Sequence, residues 1–258
     1  MQEPKQWIWW AIPVVVVAAL GGALYYGRLH KEQPVAAKPP VAQPAATAAS
    51  SAVNHPITPT ASDKPLPTLD DSDTAVQESL AEVFGRSLES FLVPKQIVRH
   101  IVVTVDNLPR KKIALPMSPI KPTGGAFLVT SPDAPMLSED NAARYAALIK
   151  VVQSADAAQI AAIYKRYYPL FQQAYVGLGY PDGYFNNRLI EVIDHLLATP
   201  ELPEAVKLTQ PSVFYQFADP ALEERSAGQK VLFRMGNANA AVVKTKLREL
   251  RKEIAKQE

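Results

Sequence analysis

The stretch YKRYYPLFQQAYVGLGYPDGYFNNRLIEVIDHLL, from Tyr164 to Leu197, decides the fold because it holds two helical patterns joined by a turn. Its large apolar residues are spaced by three and four on both sides of that turn: Ile160, Tyr164, Tyr167, Phe171 and Tyr175, then Phe185, Leu189, Val192 and Leu196. Such spacing predicts amphipathic helices. Gly177 and Gly179 indicate the end of the first helix, and Tyr180-Pro181-Asp182-Gly183 is typical of a reverse turn.

The same helical spacing recurs in several segments between residue 72 and residue 258. It predicts a compact, mainly α domain of about seven helices, with a loop and a hairpin between some of them. Candidate N-cap residues precede three of the patterns: Ser72 or Asp73, Ser138, and Asp156. The first pattern runs from Val76 to Leu92, and the last two cover residues 220–235 and 238–256. Residues 206–208 and 213–217 predict a short β-hairpin. The proline-rich residues 110–135 also contain large apolar side chains, so we expect a long ordered loop there.

The strongest single pattern in the chain is WIWWAIPVVVVAALGGALYY, from Trp7 to Tyr26. About twenty residues without a formal charge suffice to cross the hydrocarbon core of a bilayer. Tryptophans mark one end and tyrosines the other, as in the aromatic belts of membrane spans. Residues 1–31 are therefore predicted to be a short tail and a single-pass transmembrane helix, with the lipid bilayer as a partner. A cleaved signal peptide and a buried helix are the alternatives.

Residues 32–71 are dominated by Pro, Ala, Thr, Ser and Val and contain few large apolar groups. This composition predicts a disordered linker with polyproline character. Such a tether suits a domain that reaches away from an inner membrane, so we expect residues 72–258 to lie in the periplasm. Arg28 and Lys31 follow the span and favour the opposite orientation, which leaves the cytoplasmic side as the alternative.

Composition excludes several functional classes. The chain has 27 basic and 25 acidic residues and a net charge of +2, which gives no global reason to expect a nucleic-acid partner. It contains no cysteine, so disulfides, thiolate nucleophiles and thiolate metal sites are excluded. A phosphate loop, a dinucleotide fingerprint and an HExxH pair are also missing from the sequence. We therefore expect no metal, no cofactor and no identified catalytic residue.

The candidate binding residues concentrate in and around the turn between the two central helices: Tyr167, Tyr168, Tyr180, Asp182, Tyr184, Asn186, Asn187, Arg188, Glu191 and His195. Tyr167 and Tyr168 fall on neighbouring faces of one helix, so both are not expected to point fully inward. A tyrosine-lined groove with polar groups at its edge could grip a peptide or stack on sugars.

Two alternatives to binding remain open for this stretch. Glu191 and His195 are four residues apart and could form an acid–base pair, which with Asp182 suggests a hydrolase or transferase that modifies the cell wall. In the simpler interpretation they form an exposed pair on a helix that follows a reverse turn. The interpretation favoured here is a non-enzymatic envelope module that binds a protein or peptidoglycan.

The last helical pattern, VVKTKLRELRKEIAKQ, places Val243, Leu247, Leu250 and Ile254 on one stripe. This stripe is expected to dock on the rest of the domain. A homodimer, or a seam with a partner helix, is the alternative.

Three blocks of the sequence resemble a known family: VDNLPRKKIALPMSPIKPTGGAF, YKRYYPLFQQAYVGLGYPDGYFNNRLIEVIDHLLATP and YQFADPALEERSAGQKVLFRMGNANAAVVKTKLRELR. They resemble a bacterial family known only as a domain of unknown function, the one numbered 3014. The likeness covers most of residues 75–255. It implies a single-span anchored protein of Gram-negative-type bacteria, and it brings no established activity and no catalytic residues.

Overall fold

The computed structural model describes residues 52–59, 64–85, 89–112, 115–131 and 133–255. The predicted membrane helix at Trp7–Tyr26 lies outside these residues, as does the first half of the predicted linker. The described residues contain eight α-helices: α1 Asp73–Phe84, α2 Ile97–Asn107, α3 Ala146–Ser154, α4 Ala157–Gly177, α5 Phe185–Leu197, α6 Pro220–Glu223, α7 Ala227–Arg234 and α8 Asn237–Ala255. Two 3₁₀-helices, Leu115–Met117 and Glu139–Tyr145, complete the helical content.

The mainly α fold and the short hairpin are confirmed. Strands β1 (Leu208–Thr209) and β2 (Gln216–Phe217) pair antiparallel, with Leu208 opposite Phe217. One predicted helix, over residues 220–235, is two helices in the structure. The hydroxyl of Ser226 accepts the backbone N–H of Gln229, which starts α7 separately from α6.

The first helix is shorter than the spacing predicts. It ends at Phe84, and Gly85 follows with φ of 61°, in the left-handed region that glycine enters at low cost. Leu92, which we expected on the same helix, forms an antiparallel bridge with Ile120 instead. Both residues are buried, so this bridge pins the proline-rich loop to the domain, as its apolar residues predict.

Two long helices, α4 and α8, form the centre of the bundle. Helix α8 packs against α3, α4 and α5, while α2 packs against α4 and α5, and α1 against α4. The predicted stripe on α8 faces this core, because Val243, Leu247 and Ile254 are almost fully buried. Burial of such apolar side chains is the main favourable term in folding. The prediction of a homodimer through α8 stays a prediction.

Part of the predicted linker lies against the helices. Ile57 is only 8% exposed and Leu69 is likewise 8% exposed, and both belong to the main apolar core. At residues 52–59 and 64–71 the structure therefore differs from the expected disorder. The physical reason is that isolated large apolar residues in a proline-rich segment find a place on the surface of the bundle. We call residues 52–59 the strap.

No single helix of the described residues is long and apolar enough to cross a bilayer. The segments Glu139–Ser154 and Ala157–Gly177 meet the length and composition limits only as a pair, with a bend of 83° between them.

A close approach at Gly228 provides a test of the packing. A Cβ atom at this position would lie 2.8 Å from Leu196 Cδ2 and 3.1 Å from the carbonyl oxygen of Leu108. We expect Gly228→Ala to lower the free energy of unfolding by about 1–3 kcal/mol, measured by urea denaturation followed by circular dichroism. The control is Gly177→Ala, where a Cβ meets nothing within 4 Å. Equal stability of the two variants would contradict the packing described here.

Candidate functional site

The turn between α4 and α5 is held by one glutamine of α4. The backbone N–H of Gly183 donates to the carbonyl of Tyr180 at 3.0 Å, which confirms the predicted reverse turn. Gln172 donates its amide N–H to the carbonyl of Gly183 at 2.7 Å and accepts the N–H of Phe185 at 2.9 Å. Both ends of the Gln172 amide are therefore used to position the start of α5.

Side chains at the start of α5 bind main-chain atoms of the strap. Asn187 Oδ1 accepts the N–H groups of Asn54 and His55 at 3.2 and 3.1 Å, and Asn187 Nδ2 donates to the carbonyl of Ala52 at 2.5 Å. We call Tyr184, Asn186 and Asn187 the cradle. An asparagine amide offers donors and an acceptor on one rigid plane, which suits the N–H and C=O groups of a main chain.

The other two cradle residues continue this pattern along the strap. Asn186 donates to the carbonyl of His55 at 2.9 Å, and the hydroxyl of Tyr184 accepts the N–H of Ile57 at 2.7 Å. Pro56 lies between these two contacts and is exposed. The strap bends at Asn54 and His55, and Pro56 fixes its own φ directly after the bend.

Asn186 also links the cradle to the interior. Its side chain is fully buried, accepts the hydroxyl of Tyr164 at 3.2 Å and donates to the carbonyl of Ile254 near the end of α8 at 3.2 Å. A buried amide with unpaired atoms would lower stability. Here the Asn186 oxygen and nitrogen both have hydrogen-bond partners.

A cluster of aromatic side chains of α4 packs against Tyr184 of the cradle. The rings of Tyr164 and Tyr168 are 5.6 Å apart, and those of Tyr168 and Tyr184 are 5.5 Å apart. Burial raises the pKa of the Tyr168 hydroxyl, and the neighbouring Tyr184 hydroxyl raises it further. Tyr168 therefore stays protonated and donates to Gln172 Oε1 at 3.0 Å.

The expectation that Tyr167 and Tyr168 do not both point inward is wrong. Tyr167 is 1% exposed and Tyr168 is 5% exposed. Helix α1 covers the face that carries Tyr167, whose hydroxyl donates to the carbonyl of Ala75 at 3.0 Å. Tyr167 and Tyr168 thus pack in the core, whereas Tyr184 contacts the described residues of the strap with its hydroxyl.

Three further predicted residues form an ionic cluster around Asp106. Arg188 Nε lies 3.1 Å from Asp106 Oδ1, and Arg188 also pairs with Glu191 at 3.0 Å. The hydroxyl of Tyr180 donates to Asp106 at 3.2 Å, and Arg110 Nη2 lies 2.6 Å from the same carboxylate. Tyr180 also stacks on a ring of α4, with centroids 4.7 Å apart. This cluster ties the turn and α5 to the end of α2.

The three residues of the predicted acid–base group each have their own surroundings. His195 Nε2 lies 2.8 Å from the hydroxyl of Ser226, the residue that caps α7. Glu191 pairs with Arg188, and Asp182 is exposed at the turn. Each of the three titratable residues therefore has a different environment, and the contacts that we observe for His195 and Glu191 are typical of structural roles.

Sequence reasoning missed four residues that build this region. Ile57 falls in the predicted disordered linker, and nothing in the sequence singles out Asp106, Gln172 or Ser226. Ile57 carried a signal, since it is a large apolar residue isolated among prolines. The partners of Asp106 and Gln172 are set by tertiary contacts between elements, so helical spacing could not indicate them.

Two cavities lie elsewhere in the described part of the chain. One of about 70 Å³ is apolar and lies among α1, α2, α4, α5 and α8. The other, of about 160 Å³, is more polar and lies between residues 199–201 and α8. Neither is lined by Asp182, Glu191 or His195. Within the described residues, no group of three or more His, Asp or Glu side chains could hold a metal ion.

The fold and this region define a mainly helical domain whose proline-rich N-terminal strap is bound by side chains of its own bundle. Its family is that of the proteins of unknown function called DUF3014, whose family model matches residues 97–251, so the chain belongs to that family. No curated protein and no solved structure matches the chain.

The Asp106 cluster predicts a large loss of stability when its central charge is removed. The Asp106 side chain is 6% exposed and that of Arg188 is 18% exposed. We expect Asp106→Asn to lower the free energy of unfolding by about 3 kcal/mol, because Arg110 and Arg188 would lose their shared buried carboxylate and, among the described residues, Arg188 would keep an ion pair only with Glu191, whose side chain is 67% exposed. Urea denaturation measures this change. Asp182→Asn, at an exposed position, is the matched control, and an equal effect at both positions would contradict the assignment.

Two histidines make stability depend on pH. Burial lowers the pKa of His195, with Arg188 adding to the effect, and burial also lowers the pKa of His100. The unfolded chain then binds these protons first, so stability is lost as pH falls below about 6.5 through the folded-state values. Denaturation midpoints between pH 7.5 and pH 5 should fall less steeply in His195→Gln than in the unsubstituted protein. Identical slopes would contradict this origin.

Proposed function

We propose that the protein is a non-enzymatic binding module of the cell envelope, anchored in the inner membrane, and that the cradle recognises a short segment of a partner protein. The anchor and the periplasmic location are supported by the apolar stretch Trp7–Tyr26 and by the proline-rich segment after it. The single observation that carries the binding role is the way the cradle contacts the strap.

Five hydrogen bonds join the cradle to the strap, and each uses a main-chain atom of the strap. Recognition of this kind depends on main-chain conformation more than on side-chain identity, as in other modes of peptide binding. Only Ile57 adds a buried side chain to the strap contacts, at 8% exposure, whereas Val53 is 54% exposed. A partner segment would therefore need a backbone that bends as the strap does at Asn54 and His55, and one large apolar residue.

The strap acts as a resident ligand in this proposal. A segment joined to its site by a short connection has an effective concentration of about millimolar, so it outcompetes weak partners. A partner segment that resembles the strap would replace it if that segment binds more tightly or is present at a higher local concentration. The geometry favours a polypeptide over a glycan, because all five contacts are made to main-chain groups, three N–H and two C=O.

A peptide-binding experiment tests the proposal. Full-length protein in nanodiscs is titrated against a fluorescent peptide with the sequence AVNHPITP, residues 52–59. We expect Ile57→Asp in the protein to release the strap and to tighten peptide binding. Adding Asn187→Ala to that variant should weaken binding by about tenfold or more, because Asn187 makes three of the five bonds.

Asn239→Ala is the matched control, since the Asn239 amide bonds to the carbonyls of Ala142 and Met235, outside the cradle. In the Ile57→Asp background it should leave peptide affinity unchanged. Equal affinity with and without Asn187→Ala would contradict the role of the cradle. Binding of purified peptidoglycan, but not of the peptide, by the Ile57→Asp protein would replace the polypeptide ligand with a glycan.

A further inference from the structure

The apolar cavity of about 70 Å³ lies at the point where five helices meet. Its walls are aliphatic and aromatic side chains, among them Val76, Leu80, Ile101, Val105, Phe171 and Leu189. Tyr167 also lines it, but its hydroxyl is bonded to α1 and adds no free polar group. A void with such walls stays dry and accepts apolar molecules.

The cavity opens to solvent between α4 and α8. Ile163, Lys246 and Leu250 are the lining residues that keep some exposure, whereas the other residues that line the cavity are buried. They therefore form the mouth. The ammonium group of Lys246, whose side chain is 12% exposed, lies at the mouth and pairs with the Glu249 carboxylate.

Lys246 has capacity for a further acceptor. Its ammonium donates to the carbonyl of Ala155 at 2.6 Å and to Glu249 Oε2 at 2.5 Å. An ammonium group has three N–H donors, so one donor remains beyond these two contacts with described residues. The stem of the side chain lies along the apolar wall while the charge stays at the surface.

Size and charge together identify the class of ligand. The volume is about half that of the cavity of about 150 Å³ that accepts benzene in an engineered protein, so a ring does not fit and the end of a straight alkyl chain does. A void of this kind lowers stability in proportion to its volume, and an apolar group that fills it restores the lost contacts. The remaining N–H donor of the Lys246 ammonium at the mouth suits an anionic head group.

We propose that this cavity binds the end of a single alkyl chain whose anionic head group pairs with Lys246 at the mouth between α4 and α8. The chain could belong to a free fatty acid or to an anionic lipid, since both present an alkyl chain and a negative head. This site is separate from the cradle, and it stands whether or not the cradle binds a partner.

Photolabelling of the full-length protein in nanodiscs tests the proposal. The probes are decanoate with a diazirine at the chain end, the corresponding neutral amide, and a phosphatidylglycerol that carries the same diazirine chain. Mass spectrometry maps the labelled residues. We expect labelling by an anionic probe in peptides of α4 and α8 that line the cavity, and weaker labelling there by the amide. The free acid and the phosphatidylglycerol arms identify the source of the chain.

Filling the cavity should remove this labelling while the protein stays folded. We expect Ile163→Phe and, independently, Leu189→Phe to reduce cavity labelling by about tenfold, with circular dichroism confirming helical content. Lys246→Gln should lower labelling by the anionic probes about threefold, toward the level of the amide. Lys244→Gln is the control, because Lys244 lies on the same helix and lines the other cavity.

Two results would overturn the proposal. The first is labelling confined to Trp7–Tyr26, which would show that the probe enters only the predicted membrane segment. The second is cavity labelling that neither filling variant changes.

Discussion

The buried amide of Asn186 is the contact on which the arrangement of the bundle depends. It joins Tyr164 of α4, the carbonyl of Ile254 near the end of α8 and the carbonyl of His55 in the strap. A carbonyl in the last turn of a helix has no partner within that helix, so Asn186 supplies one that water cannot reach. Displacing any of these elements would leave a polar atom buried and unpaired. Apolar packing supplies most of the free energy, and this amide specifies where the elements sit.

Polar contacts also fix the position of α5 on its two sides, through the strap on one side and the Asp106 cluster on the other. The first turn of that helix carries the cradle, and Arg188 follows it directly and pairs with Asp106 of α2. A helix start has free backbone groups and exposed side chains close together, so it can contact several elements at once. Gln172 fixes the preceding loop, which leaves little freedom in how α5 begins. The start of α5 therefore connects the proline-rich segment to the core.

Much of the helical architecture could be predicted from the sequence. Apolar spacing located α4 and α5 closely, and Asp156 caps α4 as its position indicates, accepting two backbone N–H groups. The failures have local causes. Gly85 ends α1 because it adopts a left-handed conformation, which spacing does not report. Ser226 divides one predicted helix because its hydroxyl caps a new one. In both places backbone geometry overrides a continuous apolar pattern.

What the sequence by itself determined is the mainly helical class, the positions of the central helices α4 and α5, the turn after Gly179 and the family. Only the tertiary structure decided which polar side chains work together. Helical spacing describes the faces of one helix and carries no information about the element that lies opposite. For that reason Asn186 and Asn187 could be singled out as polar residues near tyrosines, but not as ligands of the strap. Asp106 and Ile57 gained their roles from residues far away in sequence, because a buried charge and an isolated apolar side chain are stabilised only by the partners that the fold brings to them.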